Sequence, residues 1–282
     1  MSKNKYVLRL TAVDSPGIIH ELSGGIVEVG GNIIESAQFA DEPSNSFNVR
    51  ITFESPEDRS VVWEVISIRL SRFDPVIQLR NEHDLRKALV MVSKLDHCLD
   101  DLLYRYSRNE LPIEIPVIVS NHEDLREKVE GFGIPFVVLP VERESKSTAE
   151  KALIEIVQKN DVDFIVLARY MQILSDEFCS KYSGRIINIH HSFLPSFKGA
   201  KPYHQAYARG VKLIGATAHF VTADLDEGPI IGQNVVPVDH TYSADELVVL
   251  GRDVERTVLS QAVKLHAEDR VFLNGNRTVV MK

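Results

Sequence analysis

The sequence predicts an α/β protein in two parts. Residues 1–84 form a ferredoxin-like βαββαβ domain, and residues 85–282 form a doubly wound, mostly parallel sheet domain. Three observations carry this. The first 80 residues alternate strand-like and helix-like runs in the order βαββαβ, which is the ferredoxin-like plan. Beyond residue 84 the pattern changes to short apolar strands separated by amphipathic helices, the signature of a parallel sheet. Between the two lies polar Asn81-Glu82-His83-Asp84, a natural boundary. A chain of 282 residues is long enough to bury two cores.

In the first part, Tyr6–Ala12 alternates as a strand. Asp14-Ser15-Pro16-Gly17 then opens a helix that runs to about Val29, with Asp14 or Ser15 as the expected N-cap and Pro16 at the tolerated first position. Gly30-Gly31 ends it. Asn32–Phe39 and Phe47–Glu54 read as strands around a turn-rich Asp41–Asn45. Pro56 starts a second helix to about Arg72, and Pro75–Arg80 is the last strand.

In the second part, strands fit Ala88–Val92, Ile115–Ser120, Phe136–Leu139, Phe164–Ala168 and Arg185–His190. The helices between them fit Cys98–Tyr106, Glu123–Gly131, Thr148–Lys159 and Asp176–Tyr182. Ala244–Ala267 is a long terminal helix, and Val271–Val280 reads as a hairpin around Asn274-Gly275-Asn276.

Composition narrows the function. A formal charge of −8 with no basic stripe argues against nucleic acid and for a small-molecule partner. No apolar run is long enough to span a bilayer and none after Met1 resembles a signal h-region, so no membrane partner is expected. Cys98 and Cys179 are too few for a disulfide framework and are not spaced as metal ligands, which favours a reducing cytoplasm. No His-x-x-x-His or Cys-x-x-Cys pair occurs, and no catalytic metal is expected.

The stretch Arg185–Gly199 carries the chemistry. Its β-branched first half is a buried strand that runs into Asn188, His190, His191 and Ser192 and breaks at Pro195. Strand side chains alternate, so Asn188 and His190 share a face roughly 7 Å apart. Ligands bind beyond the carboxyl ends of strands in open α/β sheets. An amide donor beside an imidazole there can hold an oxyanion and move a proton. A strand that merely ends in a solvated polar loop is the alternative. A second strand-like run, Leu213–Thr222, leads to Asp226 in a loop with Gly228-Pro229 as its turn signal.

Taken together, Asn188-x-His190, Leu194-Pro195-Ser196-Phe197-x-Gly199, His219-Phe220-Val221 and Asp226-x-Gly228 resemble the folate-dependent formyltransferase family. The resemblance implies Asn188, His190 and Asp226 as the catalytic set around a formyl group carried on tetrahydrofolate. The His190-His191 pair, where transformylases carry His-Pro, implies the branch that gives the formyl group of 10-formyltetrahydrofolate to water, with no tightly bound cofactor. Ala168–Leu174 matches the loop that cradles the pterin ring, so Met171, Gln172 and Leu174, with Val221 and Thr222, are implied folate contacts. Read alone, Met171 and Leu174 after a strand are core residues more often than ligand contacts. A cis Leu194–Pro195 bond is implied too. Lys198 and Lys201 could attract the folate glutamate tail or simply stand in a solvated loop. Asp14-x-Pro16-Gly17-Ile18 resembles an ACT domain, which implies an amino-acid effector at Asp14, Pro16 and Gly17 and a homo-oligomer, dimer or tetramer. A domain that only pairs subunits is the alternative.

The first strand–helix turn of the second part is informative because it lacks glycine. A phosphate-binding turn needs glycines so that backbone N–H groups can cradle the anion. Here the chain reads Val92-Ser93-Lys94-Leu95-Asp96-His97-Cys98, which argues against a nicotinamide dehydrogenase and departs from the transformylase pattern. Asp96 is expected to cap the helix, and His97 to cap it or line the pocket. His219 is expected to be structural, and His204, His240 and His266 surface or structural. A formyltransferase acting on an amine, and a silent amino-acid sensor, are the rival functions.

Overall fold

The computed structural model describes residues 4–142, 146–195 and 202–282. Ser196, Phe197, Lys198, Gly199 and Lys201, which the sequence placed in the loop after Pro195, lie outside them. The N-terminal unit runs β1 (Asn4–Val13), α1 (Ile18–Glu28), β2 (Asn32–Asp41), β3 (Ser46–Ser55), α2 (Arg59–Leu70) and β4 (Val76–Asn81). Its antiparallel sheet has the order β2-β3-β1-β4, the ferredoxin-like arrangement. Alternation puts Tyr6, Leu8, Leu10, Val49, Ile51 and Phe53 on one face, where they meet Ile18, Leu22 and Ile26 of α1 and Val62, Ile66 and Leu70 of α2. The helical residues recur every four positions, so each helix offers one apolar stripe. Each such burial contributes about 1.5–3 kcal/mol.

The start of α1 differs from expectation. Neither Asp14 nor Ser15 caps it; Gly17 does, at φ 98°, with no side-chain hydrogen bond. Only glycine takes that left-handed backbone without strain. In that turn Pro16 has no N–H and the Asp14 N–H is spent on the Asn45 carbonyl at 3.0 Å, so the donors it presents are those of Gly17 and the first turn of α1 rather than a capping side chain.

The second unit runs β5 (Arg86–Val92), α3 (His97–Ser107), β6 (Ile113–Glu114), β7 (Ile118–Ser120), α4 (Arg126–Glu130) and β8 (Phe136–Val138). It continues with α5 (Lys146–Lys159), β9 (Phe164–Leu167), α6 (Asp176–Lys181), β10 (Ile186–His190) and α7 (Pro202–Arg209). Then come β11 (Leu213–Phe220), β12 (Ile230–Pro237) and α8 (Ala244–Ala267). The sheet order is β12-β11-β10-β9-β5-β7-β8, parallel from β10 to β8 and antiparallel at β11 and β12. Helices cover both faces. Leu89, Ile165 and Ile186 pack with Leu153 and Val157 of α5 and Phe178 of α6. Phe164, one residue from Ile165 and so on the other face, stacks edge-on against His266 of α8. His266 is therefore structural. No helix among the described residues is long and apolar enough to cross a membrane.

Two sequence expectations give way here. Asp96 does stand at the N-cap of α3, but its carboxylate accepts from Lys128 Nζ at 2.6 Å and makes no cap bond. An ammonium within reach of Asp96 outcompetes the neutral N–H. The terminal hairpin, β13 (Val271–Asn274) and β14 (Arg277–Val280), groups with the first unit rather than the second. The compact units are Met1–Leu85 with Asp269–Lys282, and Arg86–Glu268. The reason is polar: Arg9 donates to the Val271 carbonyl at 2.8 Å and stacks 4.3 Å from the Phe272 ring centre, while Arg277 reaches Asp41 at 3.0 Å.

Candidate active site

Strand β10 lies inside the sheet, between parallel β9 and antiparallel β11. At its carboxyl end Asn188 stands opposite His219 of β11 in register. His219 Nδ1 lies 2.9 Å from the Phe220 carbonyl, which can only accept, so Nδ1 carries the proton. Its Nε2 is then bare and accepts from Asn188 Nδ2 at 3.2 Å. Burial lowers the His219 pKa, so the ring stays neutral in that tautomer. The Asn188 amide is thereby oriented, with its second N–H still to give.

Asp226 comes from the loop between β11 and β12. A Cβ on Gly228 would overlap the Phe220 carbonyl oxygen, so only glycine lets this loop fold back against β11. Asp226 itself adopts a left-handed φ of 57°, a conformation aspartate tolerates better than most residues. Its carboxylate lies 3.2 Å from His190 Nδ1 and 3.7 Å from His219 Nε2. Burial raises the Asp226 carboxyl, but the hydrogen bond and charge of His190 outweigh it and hold the pKa below the usual value. An ionised carboxylate only accepts, so His190 Nδ1 carries the proton, and in the neutral ring Nε2 is the nitrogen able to act as a base. His190 is 4 % exposed, and its Nε2 has no hydrogen-bond partner among the described residues.

These groups line a cavity of about 250 Å³. Asn188, His190 and Asp226 are in its wall together with Met171, Gln172, Leu174, Val221 and Thr222. The Ala168–Leu174 segment is held from below. Met171 N–H donates to Ser93 Oγ at 3.0 Å, and Ser93 in turn donates to Asn121 Oδ1 at 2.7 Å. The glycine-free turn after β5 therefore grips this loop. Because the Met171 N–H is spent, Met171 offers the cavity its half-exposed side chain instead. The chain after β10 is pinned as well: Leu194 N–H donates to Thr217 Oγ1, Thr217 donates to the Ser192 carbonyl, and the Leu194–Pro195 bond is cis. The arrangement can polarise a carbonyl, hold the resulting oxyanion and accept a proton beside it.

The formyl transferase family matches residues 86–263. Over nearly its whole length the chain is similar to formyltetrahydrofolate deformylases. One from Corynebacterium sp. (strain P-1) is 48% identical across 99% of this chain and 98% of its own. One from Bacillus subtilis (strain 168) is 45% identical across 99% and 94%. The crystal structure of such an enzyme from Burkholderia mallei superposes with a TM-score of 0.96 at 44% identity, covering 99% of this chain and all of that one. The chain belongs to the formyltetrahydrofolate deformylase family. A glycinamide ribonucleotide transformylase from Symbiobacterium toebii shares the fold more distantly, with a TM-score of 0.67, 29% identity and 73% of this chain covered.

The deformylase family's match to the whole chain leaves several residues that motif reading missed. Glu255 sits in α8, 1 % exposed, and accepts from Tyr203 Oη and bonds His97 Nε2, each at 2.7 Å. Arg169 lies 3.4 Å away. Burial raises the Glu255 carboxyl, but His97 and Arg169 outweigh it and keep it ionised. A Cβ on Gly251 would strike the Tyr203 ring, so that glycine lets Tyr203 lie across α8. His97, Cys98 and Glu255 bring ligand-type atoms within 4.8 Å. With Glu255 committed to three partners, one of them a guanidinium, and the Cys98 thiol pushed up by burial, the group is poorly made for a cation.

His191 is the clearest titrating consequence. Its ring centre lies 5.0 Å from that of His190. Burial first, then the charges of Arg169 and His190, lower its pKa from 6.5 to about 4. The unfolded chain therefore binds a proton between those values that the folded chain does not. Stability should fall as pH drops through that window, by up to about 3 kcal/mol from this group. Urea unfolding of wild type and His191→Gln from pH 7 to 4 should show a shallower acid loss in the variant. Equal slopes would mean that His191 is as easily protonated folded as unfolded.

Proposed function

We propose that the protein hydrolyses 10-formyltetrahydrofolate to formate and tetrahydrofolate. The observation that carries this is one cavity holding an oriented amide donor, a bare imidazole nitrogen backed by an ionised carboxylate, and a flat apolar loop. The pterin ring would lie against Met171, Gln172, Leu174, Val221 and Thr222, and the formyl group would reach Asn188. His190 Nε2 takes a proton from water as its oxygen attacks the formyl carbon, and Asp226 stabilises the imidazolium that forms. The formyl oxygen becomes an oxyanion held by the second N–H of Asn188. His190 then returns the proton to N10, the C–N bond breaks, and formic acid is lost as formate. None of these steps requires a metal or a further cofactor. Transfer to an amine remains the rival, and it is disfavoured by the full-length match to deformylases. Incubating the protein with substrate and no other acceptor should release formate and tetrahydrofolate in equal amounts; product formed only when an amine is added would favour the rival.

The N-terminal unit is proposed to be an ACT domain that pairs in a cytoplasmic homo-oligomer and binds a small amino acid. The proposed role is to supply formate for purine synthesis and balance one-carbon pools. The support is the βαββαβ sheet and the glycine at the start of α1. Backbone N–H groups at that turn suit a carboxylate. The effector must prefer one arrangement of the protein, and a coupling of about 1–3 kcal/mol would change activity severalfold or more. A Cβ on Gly17 would meet Arg72 at 3.0 Å in a backbone unsuited to side chains. Gly17→Ala should abolish the response to glycine or methionine while hydrolysis without effector persists. A wild type that ignores every amino acid tested would reduce the unit to an assembly device.

A further inference from the structure

Arg169 follows β9 in a left-handed conformation, φ 62°, which non-glycine residues adopt only where surrounding structure enforces it. Its residue is 9 % exposed, and its Nε makes no hydrogen bond among the described residues. The neighbouring carboxylate, Glu255, is 3.4 Å away and already holds His97 and Tyr203. Arg169 is the one lysine or arginine that lines the catalytic cavity among the described residues. It also lines a second cavity of about 450 Å³, and the two cavities share Arg169, Met171 and His191. The second cavity adds Arg252, His97 and His204; it also carries Glu255, whose charge is shared by His97, Tyr203 and Arg169, and is otherwise largely apolar.

Hydrolysis makes an anion in an awkward place. Formate would arise beside the ionised Asp226, which repels it, while folate still fills the end of the cavity formed by Met171, Leu174 and Val221. A buried, incompletely paired guanidinium that faces both spaces is what a small carboxylate would move towards. We propose that Arg169 receives the formate product and passes it into the second cavity, so that formate leaves by a route separate from tetrahydrofolate. This rests on the hydrolytic reading. It assigns the second cavity to a small carboxylate, and Arg169 to product binding rather than to the bond-breaking steps.

Calorimetric titration of the full-length protein with sodium formate, against sodium chloride at equal ionic strength, tests this directly. Arg169→Gly suits the left-handed backbone and removes the charge; Arg169→Lys keeps a charge but not the planar fork. Circular dichroism confirms that both are folded. Formate should bind the wild type in preference to chloride, bind equally well when tetrahydrofolate is saturating, and bind Arg169→Gly at least tenfold more weakly, with Arg169→Lys between. Formate affinity within twofold of wild type in Arg169→Gly, loss of formate binding on adding tetrahydrofolate, or equal binding of chloride would each overturn the proposal. The titration needs no turnover, so it is read apart from activity. Failure to release formate from substrate would instead sink the hydrolytic reading, and the product role with it.

Discussion

Asp226→Asn should lower turnover by roughly 10²–10⁴-fold, the range expected when a general acid–base pair is disabled. The loop backbone can stay in place, because asparagine tolerates the left-handed φ of 57° at this position. What changes is charge and proton placement. A neutral amide no longer stabilises imidazolium on His190, and it can present an N–H to Nδ1, which would move the ring proton to Nε2 and block the base. The melting temperature should shift little, since Asp226 is only partly buried at the cavity wall. Turnover within tenfold of wild type would remove Asp226 from the mechanism and leave His190 acting alone.

Asn188→Ala should cost about 10²–10³-fold in kcat with little change in KM, because its free N–H bonds most strongly to the oxyanion of the transition state. The substitution also leaves His219 Nε2 without its donor at 3.2 Å, so a modest stability loss of about 1 kcal/mol is expected alongside. Steady-state kinetics separates the two effects. A variant that raised KM and left kcat untouched would show that Asn188 binds substrate and transition state alike, contrary to the oxyanion role.

Much of this site was legible because strand chemistry is local. The period-two spacing of Asn188 and His190 follows from β10 being extended, and a glycine two residues after Asp226 announced a tight loop. The residues proposed to face folate came with the motif around Met171 and Leu174, and they do line the cavity. What stayed hidden depends on long-range packing. Glu255 occupies an ordinary position in an amphipathic helix, and its partner His97 is 158 residues earlier. Arg169 gave no signal because a positive φ on a non-glycine residue leaves no mark in composition. The Val271–Val280 hairpin was legible as a hairpin, but its placement follows from Arg9 and Arg277, whose partners lie 262 and 236 residues away in the chain. Helix α7, eight residues beginning at Pro202, was not anticipated either; its apolar content is too short-ranged for a period to emerge.

The central claim is that the attacking group is water activated by His190. It is tested most directly by running the reaction in H₂¹⁸O with no amine present and weighing the formate by mass spectrometry during a single turnover. The mechanism predicts one ¹⁸O atom in each formate, with tetrahydrofolate released in equal amount and the labelled product lost in Asp226→Asn. Formate that carries no label, or that forms only once an amine acceptor is supplied, would contradict it.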